Sequence, residues 1–357
     1  RKDHGRGIQR RILPEPNYKA CGRRGSDWVM KQDNMTEKNG KNYTDIIAKI
    51  ADKLGAWLLI IVIALIMTFA NDKFMTGSNI VNVLRQICVV SIGAVGVSFV
   101  ILGGGFDLST GMIATFAGCI SANLAVNYGW NLWLAILVAV LVGMVIGTIN
   151  GLLITFLKIP PFICTLGMQY VVNGLILVMT KSVPITGLPD AYLYLGRGYI
   201  GNWLPVPVVI MLAFILVGHI LLRYTVFGRS IVAIGENETA SKLSGLNVNL
   251  VKVMMYTFSG FCVSCAGIVL TARLSSGQPT SGADLALQAI AAVYIGGTFK
   301  GSVINTLAGT LVWGFMNNAL NLMNVNAYWQ KVALGIVIIA AVLFDTFRAK
   351  LATKQSS

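Results

Sequence analysis

The chain has 357 residues, of which 55% are apolar and only 12% charged. Soluble globular domains carry about 25% charged residues, so this composition excludes an ordinary water-soluble domain. The net charge of +14 does not indicate nucleic acid as a partner, because about 13 of the 28 Lys and Arg residues precede the first apolar run and others follow later runs. Basic loops are retained in the cytoplasm, so this distribution is a signal of membrane topology.

Residues 1–44 form a polar, basic segment that we expect to be disordered. Residues 1–34 stop immediately before Met35 and lack the apolar core that a cleavable signal peptide needs. We therefore interpret residues 1–34 as an added tail or an upstream extension, with Met35 as the natural start. The intact mass of the native protein tests this interpretation.

Ten apolar runs follow, and most approach the ~20 residues that cross a ~30 Å hydrocarbon layer as a helix. They show no alternation with a period of two, so we predict an all-α, polytopic integral membrane protein with about ten transmembrane helices. Two details stay open: residues 78–86 have the spacing of an interfacial amphipathic helix, and the run at 285–297 is short. The predicted spans are residues 50–70, 85–102, 110–127, 131–156, 162–180, 205–222, 252–271, 285–297, 302–323 and 329–347.

An even number of spans puts both termini on one side, and the basic N-terminal segment puts that side in the cytoplasm. We predict a transmembrane permease domain at 45–350, a cytoplasmic loop at 223–252 within it, and a cytoplasmic tail at 351–357. The protein would be embedded in the lipid of the bacterial inner membrane. About 22 of the 28 basic residues then lie inside. The six that lie outside are Lys73, Arg85, Lys181, Arg197, Arg273 and Lys331.

Glycines predict where the spans pack and where they break. Gly143, Gly147 and Gly151 repeat every four residues, which gives a flat stripe that another helix can approach closely. Glycines at 103–105 and at 296–297 predict interruptions in the two halves of the chain, and such paired interruptions often mark a translocation path. In the outer loop, four aromatic residues suit an interfacial belt. They are Tyr192, Tyr194, Tyr199 and Trp203.

The cytoplasmic loop contains the signals of a short capped helix. Asn237 can accept a hydrogen bond as the N-cap, and Glu238 fits the first turn. Gly245 stands where a helix ends in a left-handed residue. A helix of about two turns is marginal alone, so we expect it to dock on a partner, with packing on its own membrane domain as the alternative.

Six stretches carry motifs in chain order: Gly104-Gly-Phe-Asp-Leu-Ser-Thr-Gly111, Pro161-Phe-Ile-Cys-Thr-Leu-Gly167, the loop at 228–248, Ala272-Arg-Leu-Ser-Ser-Gly-Gln-Pro-Thr-Ser-Gly282, Ala289-Ile-Ala-Ala-Val-Tyr-Ile-Gly-Gly-Thr298 and Asn317-Asn-Ala-Leu-Asn-Leu322. Together they resemble ABC sugar permeases of the ribose, galactoside and xylose type, with the ribose branch most similar. The resemblance covers residues 45–347. Two features depart from the family pattern: Gln288 replaces the usual acidic residue, and the stretch at 299–305 is less glycine-rich.

The resemblance implies a permease that is paired with a second copy or a paralogue. It also implies two cytosolic ABC ATPase subunits as partners and a periplasmic sugar-binding protein. ATP and Mg²⁺ would be used by the ATPase, with no cofactor bound by this chain. The helix within 236–245 would sit on the ATPase. The residues to which the resemblance assigns coupling are Gly235, Glu236, Asn237, Glu238, Ala240, Lys242, Leu243 and Gly245.

The residues themselves agree that the energy comes from another chain. The sequence contains no phosphate-binding loop of the Gly-x4-Gly-Lys-Ser/Thr type, so we predict a transport subunit and not an enzyme. Proton relays use several intramembrane carboxylates or histidines, whereas only Asp107 approaches the membrane interior here. Cys262 and Cys265 have the spacing of a metal or redox pair, but no second Cys/His pair completes a site, so we predict that they pack.

Five polar residues are candidates for a substrate pathway. Asp107 has two interpretations: it caps the third span, or it faces a hydrated path and meets sugar hydroxyls. Gln169 and Asn173 form an i, i+4 pair on the fifth span. Asn317 and Asn321 continue with Asn324 as a polar stripe on the ninth span. Amides hydrogen-bond both helices and polyols, so packing and pathway lining stay equal alternatives for these residues.

The sequence thus favours the permease subunit of an ATP-driven importer of a monosaccharide, a ribose-like pentose or a related sugar. The alternative is a secondary transporter or facilitator that needs no ATPase, which the spans allow but the capped cytosolic helix does not explain. A membrane-embedded enzyme is a third class, but the sequence lacks the catalytic residues that such an enzyme needs. The sequence does not identify the sugar.

Overall fold

A computed structural model of the protein describes residues 56–201, 203–297, 302–337, 339–340 and 343. The predicted segments 1–44 and 351–357 lie outside the described residues. The helices are α1 Ala56–Ala70, α2 Gly77–Leu102, α3 Thr110–Val126, α4 Leu132–Phe156, α5 Pro161–Thr180, α6 Asp190–Arg197, α7 Val206–Tyr224, α8 Val226–Glu236, α9 Glu238–Leu243, α10 Val248–Leu274, α11 Leu285–Gly296 and α12 Val303–Leu322. Residues 327–337 are also helical and are called α13. Two short strands, β1 Tyr199–Ile200 and β2 Leu204–Pro205, form an antiparallel hairpin.

The all-α, polytopic membrane architecture is confirmed. Five helices, α2, α4, α5, α7 and α10, are long and apolar enough to cross a membrane, and α1, α3 and α11 are shorter apolar helices. Each of the ten predicted spans coincides with a helix among the described residues. For the tenth span, the continuous part of the description is residues 327–337. The hydropathy of the chain therefore located its helices well.

The second span begins earlier than predicted, because residues 78–86 are the first turns of α2 and not a separate interfacial helix. Their apolar face packs into the core, where Val83 is only 2% exposed. The first turn is also fixed from its polar side. Asn79 and Asn318 exchange two amide hydrogen bonds, with N···O distances of 2.9 and 2.8 Å.

α10 is the central helix and packs against α2, α3 and α4. The predicted glycine stripe of α4 faces it. A Cβ atom on Gly147 would lie 2.4 Å from the carbonyl oxygen of Tyr256, and one on Gly151 would lie 2.8 Å from the Cα atom of Val253. Backbone thus meets backbone along this seam, as the glycine repeat predicts.

The outer loop between α5 and α7 contains α6 and the β-hairpin, neither of which we predicted. Tyr194 and Trp203 are exposed, as an interfacial belt requires. Tyr192 is not part of such a belt, because it is fully buried and its hydroxyl lies 2.5 Å from the Oγ atom of Ser121 in α3. α6 is amphipathic and turns this residue inward, which anchors the loop on the bundle.

Both predicted interruptions are present. α2 ends at Leu102, and Gly104 adopts a left-handed conformation with φ of +75° before α3 begins at Thr110. α11 ends at a left-handed Gly297, with φ of +64°. Glycine adopts these angles without the steric cost of a Cβ atom.

The segment 275–284 between α10 and α11 extends back into the bundle. The N–H group of Gly282 donates to the Oγ1 atom of Thr115, five residues beyond the start of α3, at 3.0 Å. Gly282 also packs on the backbone of Gly111, where a Cβ atom would lie 2.3 Å from the Gly282 carbonyl oxygen. The N-terminal turns of α3 and α11 therefore meet inside the protein.

Candidate functional site

The capped helix predicted within the loop at 223–252 is present as α9. The Oδ1 atom of Asn237 accepts a hydrogen bond from the N–H group of Ala240 at 2.9 Å, as an N-cap does. The chain leaves the helix through Gly245, whose φ is +86°. We did not predict α8, although Thr225 signals its start: its hydroxyl accepts from the N–H group of Gly228 at 3.2 Å.

α9 presents its side chains outward. Leu243 is 85% exposed, which is unusual for a large apolar side chain on a polar surface, whereas Ser241 on the opposite side of the helix is buried. Glu238 forms an ion pair with Lys252 of α10, with an N···O distance of 2.6 Å, which ties α9 to the bundle. All eight predicted coupling residues are exposed: Gly235, Glu236, Asn237, Glu238, Ala240, Lys242, Leu243 and Gly245.

Gly235 joins this segment to the membrane bundle. A Cβ atom at Gly235 would lie 1.8 Å from the carbonyl oxygen of Leu102, so the backbone of α8 touches the last turn of α2. That turn is where the interruption at 103–109 begins. The α8–α9 segment is therefore in direct contact with the start of the break between α2 and α3. A movement of this segment would act directly on that break.

Asp107 lies within this break and is 1% exposed. Its Oδ1 atom accepts hydrogen bonds from the backbone N–H group and the hydroxyl of Ser109, at 2.9 and 2.6 Å. The N-cap of α3 is Ser109, so Asp107 lies two residues before the cap. It accepts a backbone hydrogen bond at the start of the span, as the capping interpretation predicts, and it does so by closing an Asx turn before the helix.

The environment of Asp107 is polar and enclosed. The amide nitrogen of Asn150 in α4 donates to the Ser109 hydroxyl at 2.9 Å. The Oδ2 atom of Asp107 and the Oδ1 atom of Asn150 are both buried without a hydrogen-bond partner among the described residues. Both side chains are buried, so exposure to a hydrated path stays a prediction for Asp107.

A cavity of about 270 Å³ lies between α2, α10, α11 and α12. Asn317, a predicted pathway residue, lines it with two amides that we did not assign, Gln86 and Gln288. Trp313 forms part of the apolar wall. The cavity therefore combines three amides and one flat aromatic ring with two side chains of opposite charge, Arg273 and Asp284.

The rest of the predicted asparagine stripe does not reach this cavity. Asn321 is exposed and accepts a hydrogen bond from the Nε2 atom of Gln330 at 2.8 Å. Asn324 lies beyond the end of α12 and has a left-handed φ of 55°, so the helical spacing of the stripe is broken. Asn318, which we did not single out, is the buried amide of α12.

Gln169 and Asn173 lie on α5, far along the chain from the other candidates, and both are half-buried. The adjacent face of α5 is open: a Cβ atom on Gly167 or Gly174 would meet nothing within 4 Å. The described part of the chain does not bring these two amides into the cavity that Asn317 lines. Their role in a pathway stays a prediction.

A bundle of apolar helices with two glycine breaks, a cavity between four helices and an exposed α8–α9 segment is the architecture of a polytopic membrane permease. The particular family follows from sequence comparison. The chain belongs to the family described as "Branched-chain amino acid transport system / permease component", whose model matches residues 79–342.

Characterised relatives are similar over nearly their whole length. The chain is 43% identical to the ribose import permease protein RbsC of Bacillus subtilis over 323 residues, which are 88% of this chain and 98% of the relative. It is 41% identical to RbsC of Haemophilus influenzae, over 84% of this chain and 94% of the relative. The L-arabinose transport system permease protein AraH of Escherichia coli K12 is 34% identical, over 85% and 93%. No solved structure gives a significant match.

Proposed function

We propose that this permease is the translocating subunit of an ATP-driven importer for a ribose-type monosaccharide, and that a cytosolic ABC ATPase docks on α9. The observation that carries the proposal is the exposed α8–α9 segment, whose Gly235 touches the end of α2 at the interrupted part of the bundle. A facilitator without an ATPase has no need for an exposed leucine such as Leu243 on a capped cytosolic helix.

The amides of the cavity support a polyol as the substrate, and the two charged side chains of the lining, Arg273 and Asp284, have opposite signs. Amide side chains donate and accept hydrogen bonds as sugar hydroxyls do, and Gln86, Gln288 and Asn317 offer three of them. Trp313 offers an apolar face of the kind found in small-molecule sites. The similar permeases are named for ribose and arabinose, whereas the family description names amino acids, so the substrate proposal follows the more specific relatives.

A second copy or a paralogue would cover the open face of α5. Amides that face hydrocarbon are costly, so Gln169 and Asn173 require either a protein partner or water beside them. A paired permease supplies both, because the two subunits can enclose a hydrated path between them. The periplasmic sugar-binding protein would deliver the substrate to the outer side of that path.

The topology forms part of the same proposal. Both termini lie on the cytoplasmic side of a bacterial inner membrane, and α9 lies on that side as well. The transmembrane domain spans 45–350, and ATP and Mg²⁺ are used by the partner ATPase. The basic residues near α8–α9, among them Arg229 and Lys252, support this orientation.

The experiment is purification of the chain from its native membranes, with mass spectrometry of the proteins that accompany it. We expect a stoichiometric ABC ATPase that is lost on Glu238→Lys or Gly245→Pro. Asp72→Lys is the matched control, because Asp72 is exposed in the turn after α1, on the opposite side of the membrane in the proposed topology. A chain that purifies alone and moves sugar into liposomes without ATP contradicts the proposal and establishes the facilitator.

A further inference from the structure

Three arginines that are far apart in the sequence converge at the outer end of the bundle. Arg85 of α2, Arg197 of α6 and Arg273 of α10 line one pocket of about 480 Å³, with Asn82 and Gln86 beside them. They are half of the six basic residues that the topology places outside, against three acidic ones, Asp72, Asp190 and Asp284. Basic residues are disfavoured on that side, so their convergence needs a reason.

The arginines are held in place by their own hydrogen bonds. The Nη2 atom of Arg85 donates to the carbonyl oxygen of Arg197 at 2.8 Å, and the Nε atom of Arg197 donates to the carbonyl oxygen of Arg273 at 2.9 Å. The guanidinium of Arg85 also lies 4.7 Å from the centroid of the Tyr199 ring. These contacts link α2, α6 and α10 and fix the positions of the charges before any ligand is present.

The positive charge in the pocket is not neutralised among the described residues. The ion pairs found there join Lys252 to Glu238 and Lys331 to Asp284, and neither includes one of these arginines. A guanidinium has five N–H donors, and the Nε atom of Arg85 is buried without a partner. The pocket thus has positive charge and an N–H donor that are available to bind a ligand.

Helix termini alone do not explain the cluster. Arg197 and Arg273 stand in the last turns of α6 and α10, where a positive charge complements the helix dipole. Arg85 does not, because it lies in the third turn of α2, nearer to the positive end of that helix. The Arg197 carbonyl and the Tyr199 ring hold its guanidinium, but neither carries a full negative charge to offset the repulsion from the other two arginines.

We propose that this arginine pocket, formed by Arg85, Arg197 and Arg273, binds a carboxylate from an acidic side chain of the periplasmic sugar-binding protein. The planar guanidinium fork matches a carboxylate in a bidentate manner, and a cluster of like charges also steers an acidic partner towards its site. This inference rests on the proposed function, because it requires a periplasmic partner.

The position of the pocket favours a protein partner over a lipid phosphate. It lies on α2 and α10, whose apolar windows are 83% and 67% buried within the chain, compared with 22% for α5. It also shares Gln86 and Arg273 with the 270 Å³ cavity, so it borders the outer opening of that cavity. A partner that delivers a sugar must sit at this place, whereas lipids surround the periphery.

The test measures binding of the sugar-loaded periplasmic binding protein to the permease–ATPase complex in nanodiscs of neutral phosphatidylcholine. We expect Arg85→Gln and Arg273→Gln each to weaken binding about tenfold and to flatten its dependence on salt. Arg273→Lys keeps the charge but loses the fork, so it should fall between wild type and Arg273→Gln. Lys181→Gln is the control, since it removes one exposed outer charge away from the pocket.

Two further measurements separate this proposal from its alternatives. If each variant still co-purifies with the ATPase, its fold and the proposed function are intact, whatever its affinity for the binding protein. Rescue of Arg85→Glu by an acidic-to-lysine change in the binding protein would identify the pair directly. Wild-type affinity in the Gln variants overturns the proposal. So does binding that requires added phosphatidylglycerol and is lost in these variants, because the pocket is then a lipid site.

Discussion

Replacement of Gly235 by alanine tests whether the contact between α8 and α2 transmits movement. The added Cβ atom would lie 1.8 Å from the carbonyl oxygen of Leu102 and 2.9 Å from its carbonyl carbon. Real Cβ atoms essentially never approach closer than 3.0 Å, so the two backbones must separate by at least about 1.2 Å, the difference between 3.0 and 1.8 Å. Both partners are backbone, so no change of rotamer relieves the clash.

The energetic cost should be moderate and the functional cost large. Overpacking of this kind costs about 1–3 kcal/mol. The better helix propensity of alanine returns about 1 kcal/mol, which leaves a net loss of about 0–2 kcal/mol. The protein should still fold, but α8 would no longer contact the end of α2. ATP hydrolysis should then continue with less sugar transported per ATP.

The assay uses proteoliposomes that contain the permease with its ATPase, in which sugar uptake and ATP hydrolysis are measured together. For Gly235→Ala we expect retained ATPase, a heat-aggregation midpoint slightly below wild type, and uptake per ATP reduced severalfold. Gly335→Ala is the matched control, because Gly335 is helical and its Cβ atom would meet nothing within 4 Å. Wild-type uptake per ATP in Gly235→Ala would refute the idea that this contact couples the two segments.

Three further substitutions probe the packing and the polar interior. Gly147→Ala should lower the heat-aggregation midpoint through a loss of about 1–3 kcal/mol against the backbone of α10, whereas Gly335→Ala should not, and equal midpoints would contradict the close packing of α4 on α10. Asn318→Leu leaves Asn79 without its partner and should cost about 1–2 kcal/mol, much of which the double variant with Asn79→Leu should recover in a mutant cycle. Asp107→Asn keeps an acceptor for both hydrogen bonds and removes a buried charge, so its midpoint should equal or exceed wild type; lost uptake at full stability would show that the charge serves transport.

The features that sequence predicted best are those set by neighbouring residues. Span positions follow from hydropathy summed over about 20 residues, so α4 and α5 begin and end within a residue or two of the predicted bounds. The cap of α9 depends on Asn237 and residues within eight positions of it. The glycine stripe of α4 also needs only its own spacing to be recognised.

The features that sequence missed depend on contacts between distant residues. Tyr192 has the composition of an interfacial aromatic, and only the docking of α6 on α3 buries it. Asn317 and Asn318 are adjacent and chemically identical, yet one lines the cavity and the other pairs with Asn79. A difference of about 100° around the helix axis decides this, and it requires knowledge of which helices are neighbours.

The glycine contacts around α10 limit how the bundle can change shape. A Cβ atom on Gly267 would lie 1.9 Å from the carbonyl oxygen of Ala114 in α3, and one on Gly260 would lie 2.4 Å from that of Gly143 in α4. Helices in such intimate backbone contact resist shear, because any sliding drives carbonyl groups into the facing helix. We therefore expect α3, α4 and α10 to move as one block, and the left-handed glycines Gly104 and Gly297 are positions where the chain leaves helical geometry outside this block. If the permease opens and closes, we expect the movement to occur at these two glycines and not within the block.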